Sequence, residues 1–283
     1  MTAREEPLRC WRLTLDELLG RAPLFARSAV AVGNFDGVHK GHLRILRMAV
    51  ERGAAAGETP VALTFHPHPR AVVGSGAPPA LTAPEERERA LGAAGIAAVV
   101  TLRFDEAVAA LEPERFVRDV LVGGLGARRV VVGENFRFGR GARGTVDLLR
   151  QVGEELGLAV HVVETVRDDR GRVVSSTLVR QLLAEGDVAQ AAALLGRFYC
   201  VIGRMLDGDE QDGGGAWRVQ PSAGLLLPAP GKYDVLAGPP GGPSVPAAVE
   251  IPADGEGWLR LFGAEAPAAP GEEVRVQFIA RRE

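Results

Sequence analysis

Apolar residues along the first two thirds of this chain come in two alternating rhythms. Short β-branched runs recur at Ala29–Val32, Val61–Phe65, Ala97–Leu102, Arg129–Val132 and Ala159–Thr165. Runs of this kind suit strands covered on both faces. Between them the apolar spacing changes to three and four residues. Leu43, Leu46 and Val50 mark one helix, closing near Gly53 to Gly57. Leu81–Gly95 is a second, opened by Thr82 and Pro84-Glu85-Glu86. Glu112–Val122 is a third, with Pro113 in its first turn, and Gly144–Leu156 a fourth, with Val146, Leu149 and Val152 on one face. Trp11–Leu19 leads in as a strand or short helix, and Gly186-Asp187 restarts a helix over Val188–Leu195 that Gly196 closes. The β-α-β-α order predicts an α/β fold built on a parallel, Rossmann-like sheet.

The rhythm changes after Arg204. Asp207–Gly215 is acidic and glycine-rich, like a linker. Short alternating runs follow at Lys232–Leu236, Ala247–Ile251, Trp258–Phe262 and Val274–Ile279, among many Gly and Pro residues. This pattern predicts a small antiparallel β-barrel or sandwich.

The turns at the strand ends carry the candidate chemistry. After Ala29–Val32 come Gly33, Asn34, Phe35, Asp36 and Gly37, then His39-Lys40-Gly41-His42 at a helix mouth. A helix N-terminus offers unpaired N–H groups and a positive dipole end. Two imidazoles three residues apart share one face of its first turn. Gly41 between them lets a nucleotide approach the backbone. The pair suits a polyphosphate whose charge grows during reaction. Two surface histidines, or a zinc-binding pair, fit the same spacing.

Three further segments stand at comparable places. His66-Pro67-His68-Pro69 ends the Val61–Phe65 strand, and two prolines in four residues predict an extended loop. The alternative reading of His66 and His68 is solvated loop histidines. Gly133-Glu134-Asn135-Phe136-Arg137-Phe138-Gly139 follows the Arg129–Val132 strand. There one of Phe136 and Phe138 is expected to face the core and the other to offer an aromatic surface, or both are core. Arg140 and Arg143 read as solvated loop arginines. Last, Ser175-Ser176-Thr177 opens a helix with Arg180 one turn in. That combines cap and anion-binding chemistry, although a cap alone also explains the hydroxyls.

Length and charge narrow the classes. The 283 residues hold one large or two modest cores, and a formal net charge of −3 lacks the basic footprint of a nucleic-acid binder. Two cysteines, Cys10 and Cys200, make neither a disulfide framework nor a metal cluster. No membrane span or leader is expected, and the expected location is cytoplasmic.

The stretch GNFDGVHKGH resembles the signature of the nucleotidyltransferase superfamily, and specifically the bacterial FAD synthetase (riboflavin kinase/FMN adenylyltransferase) family. Thr64, Phe65, Pro67, His68 and Pro69 resemble its T-F-x-P-x-P segment, with His66 a departure where an acid or amide is usual. Residues 133–139 resemble G-x-(D/N)-F-x-F-G, and Ser175 to Arg180 resemble S-S-T-x-x-R. Gly186 to Arg197 resembles the end of the family's transferase domain, so the likeness covers about residues 11 to 204.

The resemblance implies transfer of AMP from ATP to FMN, giving FAD and pyrophosphate, with Mg²⁺ brought by ATP and no protein-borne metal site. It casts His39, His42 and Arg180 as catalytic. Gly33, Asn34, Phe35, Asp36, Gly41, Ser175, Ser176 and Thr177 become nucleotide contacts. Phe65, Pro67, His68, Asn135, Phe136 and Phe138 become flavin contacts. It divides the chain into a transferase domain, residues 1–198, and a riboflavin-kinase-like barrel, residues 199–283. In the barrel the family's G-x-P-T-A-N stands as Gln220-Pro221-Ser222-Ala223-Gly224, so loss of kinase activity is expected. Alternatives are a relative using CTP, a modified flavin or another phosphorylated acceptor, and a non-catalytic flavin-nucleotide binder. Oligomeric state is left open.

Overall fold

A computed structural model describes residues 8–74, 76–208, 216–253, 259–263 and 266–282. The chain divides into two compact units. One comprises Met1–Pro78 and Arg87–Val166, the other Pro79–Glu86 and Arg167–Glu283.

The first unit is built on six parallel strands, as the alternating pattern predicts. They are β1 (Arg9–Leu13), β2 (Ser28–Val32), β3 (Thr59–His66), β4 (Ala98–Arg103), β5 (Ala127–Gly133) and β6 (Ala159–Val163), in the order β1-β4-β3-β2-β5-β6. The ambiguous Trp11–Leu19 stretch is both things in turn: β1, then helix α1 (Leu15–Leu19), opened by a Thr14–Glu17 capping box. The other helices are α2 (Lys40–Ala56), α3 (Pro69–Val72), α4 (Pro84–Ala93), α5 (Glu106–Ala109), α6 (Pro113–Arg115) and α7 (Val146–Leu156), of which α4 begins in the second unit's segment.

Side chains alternate across a strand, so each strand feeds two cores. Val30, Val32, Val61, Leu63, Val100, Val130 and Val132 meet Leu18 of α1 and Leu149 and Val152 of α7 on one face. Ala31, Ala62, Val99 and Val131 meet Leu46 and Ala49 of α2 and Leu91 of α4 on the other. Both faces are covered, which is why the strands read as unbroken apolar runs.

Three details differ from the pattern. The helix expected from Leu81 begins at Pro84, because Leu81–Ala83 run as a separate buried segment. Beyond α6 the chain widens into a π-helix, Phe116–Gly124, whose end is closed by the Leu125 N–H reaching the Val120 carbonyl five residues back at 3.1 Å. The expected extended His-Pro loop is shorter than its prolines suggest. β3 continues to His66, the His66–Pro67 bond is cis, and Pro69 opens the single turn α3. Proline is favoured at a first helical position, and the His68 ring caps this one by accepting the Arg70 N–H at 3.2 Å.

The second unit begins with helices α8 (Ser176–Glu185) and α9 (Val188–Leu195). Six antiparallel strands follow: β7 (Tyr199–Gly208), β8 (Ala216–Pro221), β9 (Gly231–Gly238), β10 (Val245–Ile251), β11 (Leu259–Phe262) and β12 (Glu273–Arg281). They close into a barrel, ordered β10-β11-β8-β7-β12-β9, so of the two expected forms the barrel is found. Every second residue turns inward: Tyr233 and Val235, Leu259 and Leu261, Val274, Val276 and Phe278 are buried. β7 escapes the alternation test because Cys200 and Ile202 on its other face are also covered, packing with Ala83. Trp258 and the core of the acidic linker lie outside the described residues.

Candidate active site

The order of the parallel sheet sets the site. From β2 the chain moves to β3 on one side, whereas from β5 it moves to β6 on the other. The loops after β2 and β5 therefore leave adjacent strands in opposite directions, and a crevice opens between them at the carboxyl edge. Both candidate loops of the first unit, residues 33–39 and 133–145, stand there.

The first loop is tightly determined. The Gly33 N–H donates to the Leu63 carbonyl at 3.1 Å, and the Thr64 hydroxyl donates to the Asn34 carbonyl at 3.1 Å. An Arg87 guanidinium N–H reaches the same carbonyl at 3.4 Å. Phe35 and Val38 take positive φ values of 48° and 43°, and both are fully buried. Backbone of this kind persists where packing over-determines it, and it clusters at functional sites. Gly37, at φ 85°, completes the turn, and Asp36 is buried within it.

This turn delivers the histidine pair. His39 is the N-cap of α2, and its Nδ1 accepts the His42 N–H at 3.3 Å. A neutral ring with Nδ1 as acceptor carries its proton on Nε2, which makes Nε2 a donor. The rings of His39 and His42 stack, with centroids 3.7 Å apart and planes 18° from parallel. Phe35 meets His42 edge-on at 5.4 Å. His39 is nearly buried, while His42 and Gly41 are half-buried and Lys40 is exposed. The pair thus forms one block at the positive end of a 17-residue helix. Among the described residues no group of three or more His, Cys, Asp or Glu is placed to hold a metal ion.

His68 joins this loop to the His-Pro segment. Its Nε2 lies 3.3 Å from the Asn34 side-chain amide. The Asn34 atom placed there is Nδ2; because Nδ1 accepts from Arg70, Nε2 bears the ring proton, and the amide turned over would present its oxygen to that proton. Pro67 and His66 are exposed.

The second loop rests on a row of aromatic rings. Phe65 meets Phe104 edge-on at 5.7 Å and Phe116 at 6.5 Å. Phe116 meets Phe138 at 5.6 Å, and Phe138 stacks on Phe136 at 5.4 Å. Phe138 is buried in the core, and Phe136 is half-buried and packs against that same core. Asn135 is exposed and donates to the Thr165 hydroxyl at 3.4 Å. Thr165 donates both its N–H, at 3.0 Å, and its hydroxyl to the Glu134 carboxylate. Glu134, Thr165 and Arg87 were not singled out from the sequence. Each belongs to this edge through a contact distant in sequence, which no local pattern reports.

The other motif belongs to the second unit. Ser175 caps α8, its hydroxyl accepting the Leu178 N–H at 3.2 Å. Ser176 and Thr177 lie in the first turn, and Arg180 one turn in donates through Nε to the Pro79 carbonyl at 2.9 Å. A hairpin leads into the helix. Asp168 accepts from the Arg170 and Arg172 amides and from Arg172 Nε, and Arg172 also donates to Gln190 of α9 at 2.8 Å. Burial works against the Asp168 charge, but these hydrogen bonds outweigh it and hold the carboxyl below its usual range.

The FAD synthetase family model matches residues 23–178. Over 182 residues the chain is 37% identical to the bifunctional riboflavin kinase/FMN adenylyltransferase of Escherichia coli K12, a match spanning 64% of this chain and 58% of that protein. The protein of the same name from Pseudomonas fluorescens is 38% identical over 185 residues, or 65% of this chain and 59% of the relative. The matched region is thus under two thirds of these relatives' length. A solved structure described as a macrolide-efflux protein from Streptococcus pneumoniae superposes with a TM-score of 0.84 over 98% of this chain and 91% of that one, at 24% identity. At that identity the likeness concerns the fold. Among the described residues no helix is long and apolar enough to cross a membrane.

Proposed function

Since this chain belongs to the FAD synthetase family, we propose that it is an FMN adenylyltransferase. An FMN phosphate oxygen attacks the α-phosphorus of ATP. The bond from that phosphorus to the β-phosphate bridging oxygen breaks, and pyrophosphate leaves with the electron pair. FAD is the other product. The observation that carries this reading is the stacked His39–His42 block at the N-terminus of α2.

The residues divide the work by chemistry. His39 Nε2–H and the α2 N-terminus stabilise the charge that grows on the phosphates. Gly33, Asn34, Phe35, Asp36 and Gly41 shape the nucleotide's approach. Ser175 holds the helix end, Ser176 and Thr177 offer hydroxyls, and Arg180 grips the departing phosphates. Phe136 supplies an aromatic face for the isoalloxazine ring. Asn135, Phe65, Pro67 and His68 line its surroundings, and Phe138 backs Phe136. No protein nucleophile is required, and catalysis is positioning and electrostatics.

The donor set fits a metal that arrives with the nucleotide. Mg²⁺ prefers phosphate oxygens and water, which the nucleotide would bring with it. Bound that way it neutralises polyphosphate charge. ATP and FMN as substrates suit a cytoplasmic protein. We assign the transferase to residues 1–198, and the barrel, residues 199–283, to a module without riboflavin kinase activity. The motif loss at Gln220–Gly224 supports that assignment.

The test is pyrophosphate release with Mg²⁺, crossing ATP and CTP against FMN and riboflavin. FAD from FMN plus ATP, with no FMN formed from riboflavin, is expected. The double variant His39→Ala/His42→Ala should lose about 100-fold or more in turnover. Near-normal turnover in that variant would refute the assignment.

A further inference from the structure

The turn Ser222–Gly224 follows β8 and has no role in the transfer described above. The Ser222 N–H is held by the Ile202 carbonyl at 2.9 Å, and Gly224 takes a left-handed φ of +79°. That conformation aims the Gly224 carbonyl at the segment Pro79–Glu86. The Ala80 N–H donates to it at 2.8 Å, and the Leu226 N–H donates to the Ala80 carbonyl at 2.8 Å. Together they form a parallel bridge between Ala80 and Leu225.

The Ala80 N–H shares one planar peptide group with the Pro79 carbonyl. In a trans peptide the two point in opposite directions. One end of this plane is therefore pinned by Gly224. The other end, the Pro79 oxygen, accepts from Arg180 Nε at 2.9 Å. Anchoring Nε fixes the guanidinium plane, and with it the direction of both Nη groups. The rest of the segment is bolted to the barrel. Ala83 packs with Cys200, Ile202 and Leu225, and the buried Glu86 carboxylate meets Arg275 at 3.3 Å. All of these contacts lie within the second unit.

We infer that the Gln220–Gly224 turn positions Arg180 for polyphosphate, acting through the Pro79–Ala80 peptide. This rests on the anion-binding role proposed for Arg180 and gives the barrel a role independent of riboflavin kinase activity. Gly224, Ala80 and Pro79 are positioning residues, and the bound class is a linear polyphosphate.

The experiment is a double-mutant cycle on the full chain, reading the affinity of inorganic tripolyphosphate by calorimetry, with thermal melts beside it. Arg180→Ala should weaken binding about tenfold or more, as expected for loss of charge-assisted hydrogen bonds. Gly224→Val strains the left-handed position and should weaken it about three- to tenfold. Gly224→Ala, a milder change, keeps the cycle usable if the valine protein melts too low. In the Arg180→Ala background neither Gly224 change should weaken binding further. Gly224→Asn should regain most of the loss, since asparagine tolerates positive φ. Unchanged affinity in the Gly224→Val protein, additive losses in the double variant, or no tripolyphosphate binding by the unaltered chain would overturn the inference. The transferase reading fails separately, if the unaltered chain makes no FAD from FMN and ATP while the coupling in the binding cycle persists.

Discussion

His161 lies far from the crevice in function, yet it sets a measurable pH response. Arg129, from the neighbouring strand β5, donates to its Nε2 at 2.7 Å, and Arg129 is itself paired with the buried Glu58 at 3.1 Å. Burial, then the charges of Arg129 and Arg52, lower the ring's proton affinity below the ordinary 6.5, while Glu58 pulls weakly the other way. The unfolded chain therefore takes up this proton first as pH falls. Stability from this group is whole above the unfolded value and drains away as pH falls below 6.5 toward the folded value. Thermal melts should decline between about pH 7 and 5, and His161→Gln should flatten that decline. An unaltered slope in the variant would assign the response elsewhere. The two phenylalanines of the second loop separate in the same way. Phe138→Ala empties a core site and should cost about 3 to 5 kcal/mol in denaturant titrations. Phe136→Ala removes a half-buried ring stacked on Phe138, so it should cost clearly less stability than Phe138→Ala and raise KM for FMN several-fold, about what a lost aromatic contact is worth.

Among the elements, α8 presents two roles at one end. The Ser175 hydroxyl is spent on the Leu178 N–H, so it acts as a cap before anything else. Ser175→Ala should lose about 1 kcal/mol of stability. Ser175→Asp preserves the cap and complements the dipole, but it places a negative charge beside the proposed phosphate site. That variant should melt no lower than the natural protein while binding tripolyphosphate more weakly. Equal affinity would limit the serine to its structural role. The cap explains why a hydroxyl run at a helix start is ambiguous in sequence: one geometry serves both purposes.

For the whole molecule, the residues that form a module are not a single stretch of chain. Pro79–Glu86 is counted with the barrel unit although it follows β3 in sequence. Its Ala83 is buried against Cys200, Ile202 and Leu225. A chain stopped after residue 198 removes that cover. It should melt several degrees lower than the full chain and bind hydrophobic dye at lower temperature. Coincident melts of the two chains would show that the segment needs no barrel.

Much of this architecture was legible locally. Unlike the cap at His39, the order of the main strands and helices, the cap at Ser175, the helix restart at Gly186-Asp187, and the closing glycines at Gly57 and Gly196 follow from spacing and backbone preference within a few residues. So did the four motifs, because each is a contiguous run at a strand or helix end. What the sequence alone determined is therefore the alternation of the main strands and helices and the residue types that stand at their ends, while α3, α5, the π-helix, β7 and β8 lay outside its pattern. Tertiary structure decided the rest. The strand order that sets β2 beside β5 creates the crevice, and nothing within either strand encodes its neighbour. The Glu134–Thr165 clip, the Arg87 contact to Asn34 and the Gly224–Ala80–Pro79–Arg180 chain join residues 31 to 144 positions apart. Such contacts are chosen by packing and by the need to satisfy buried backbone groups, and both exist only once the chain has folded.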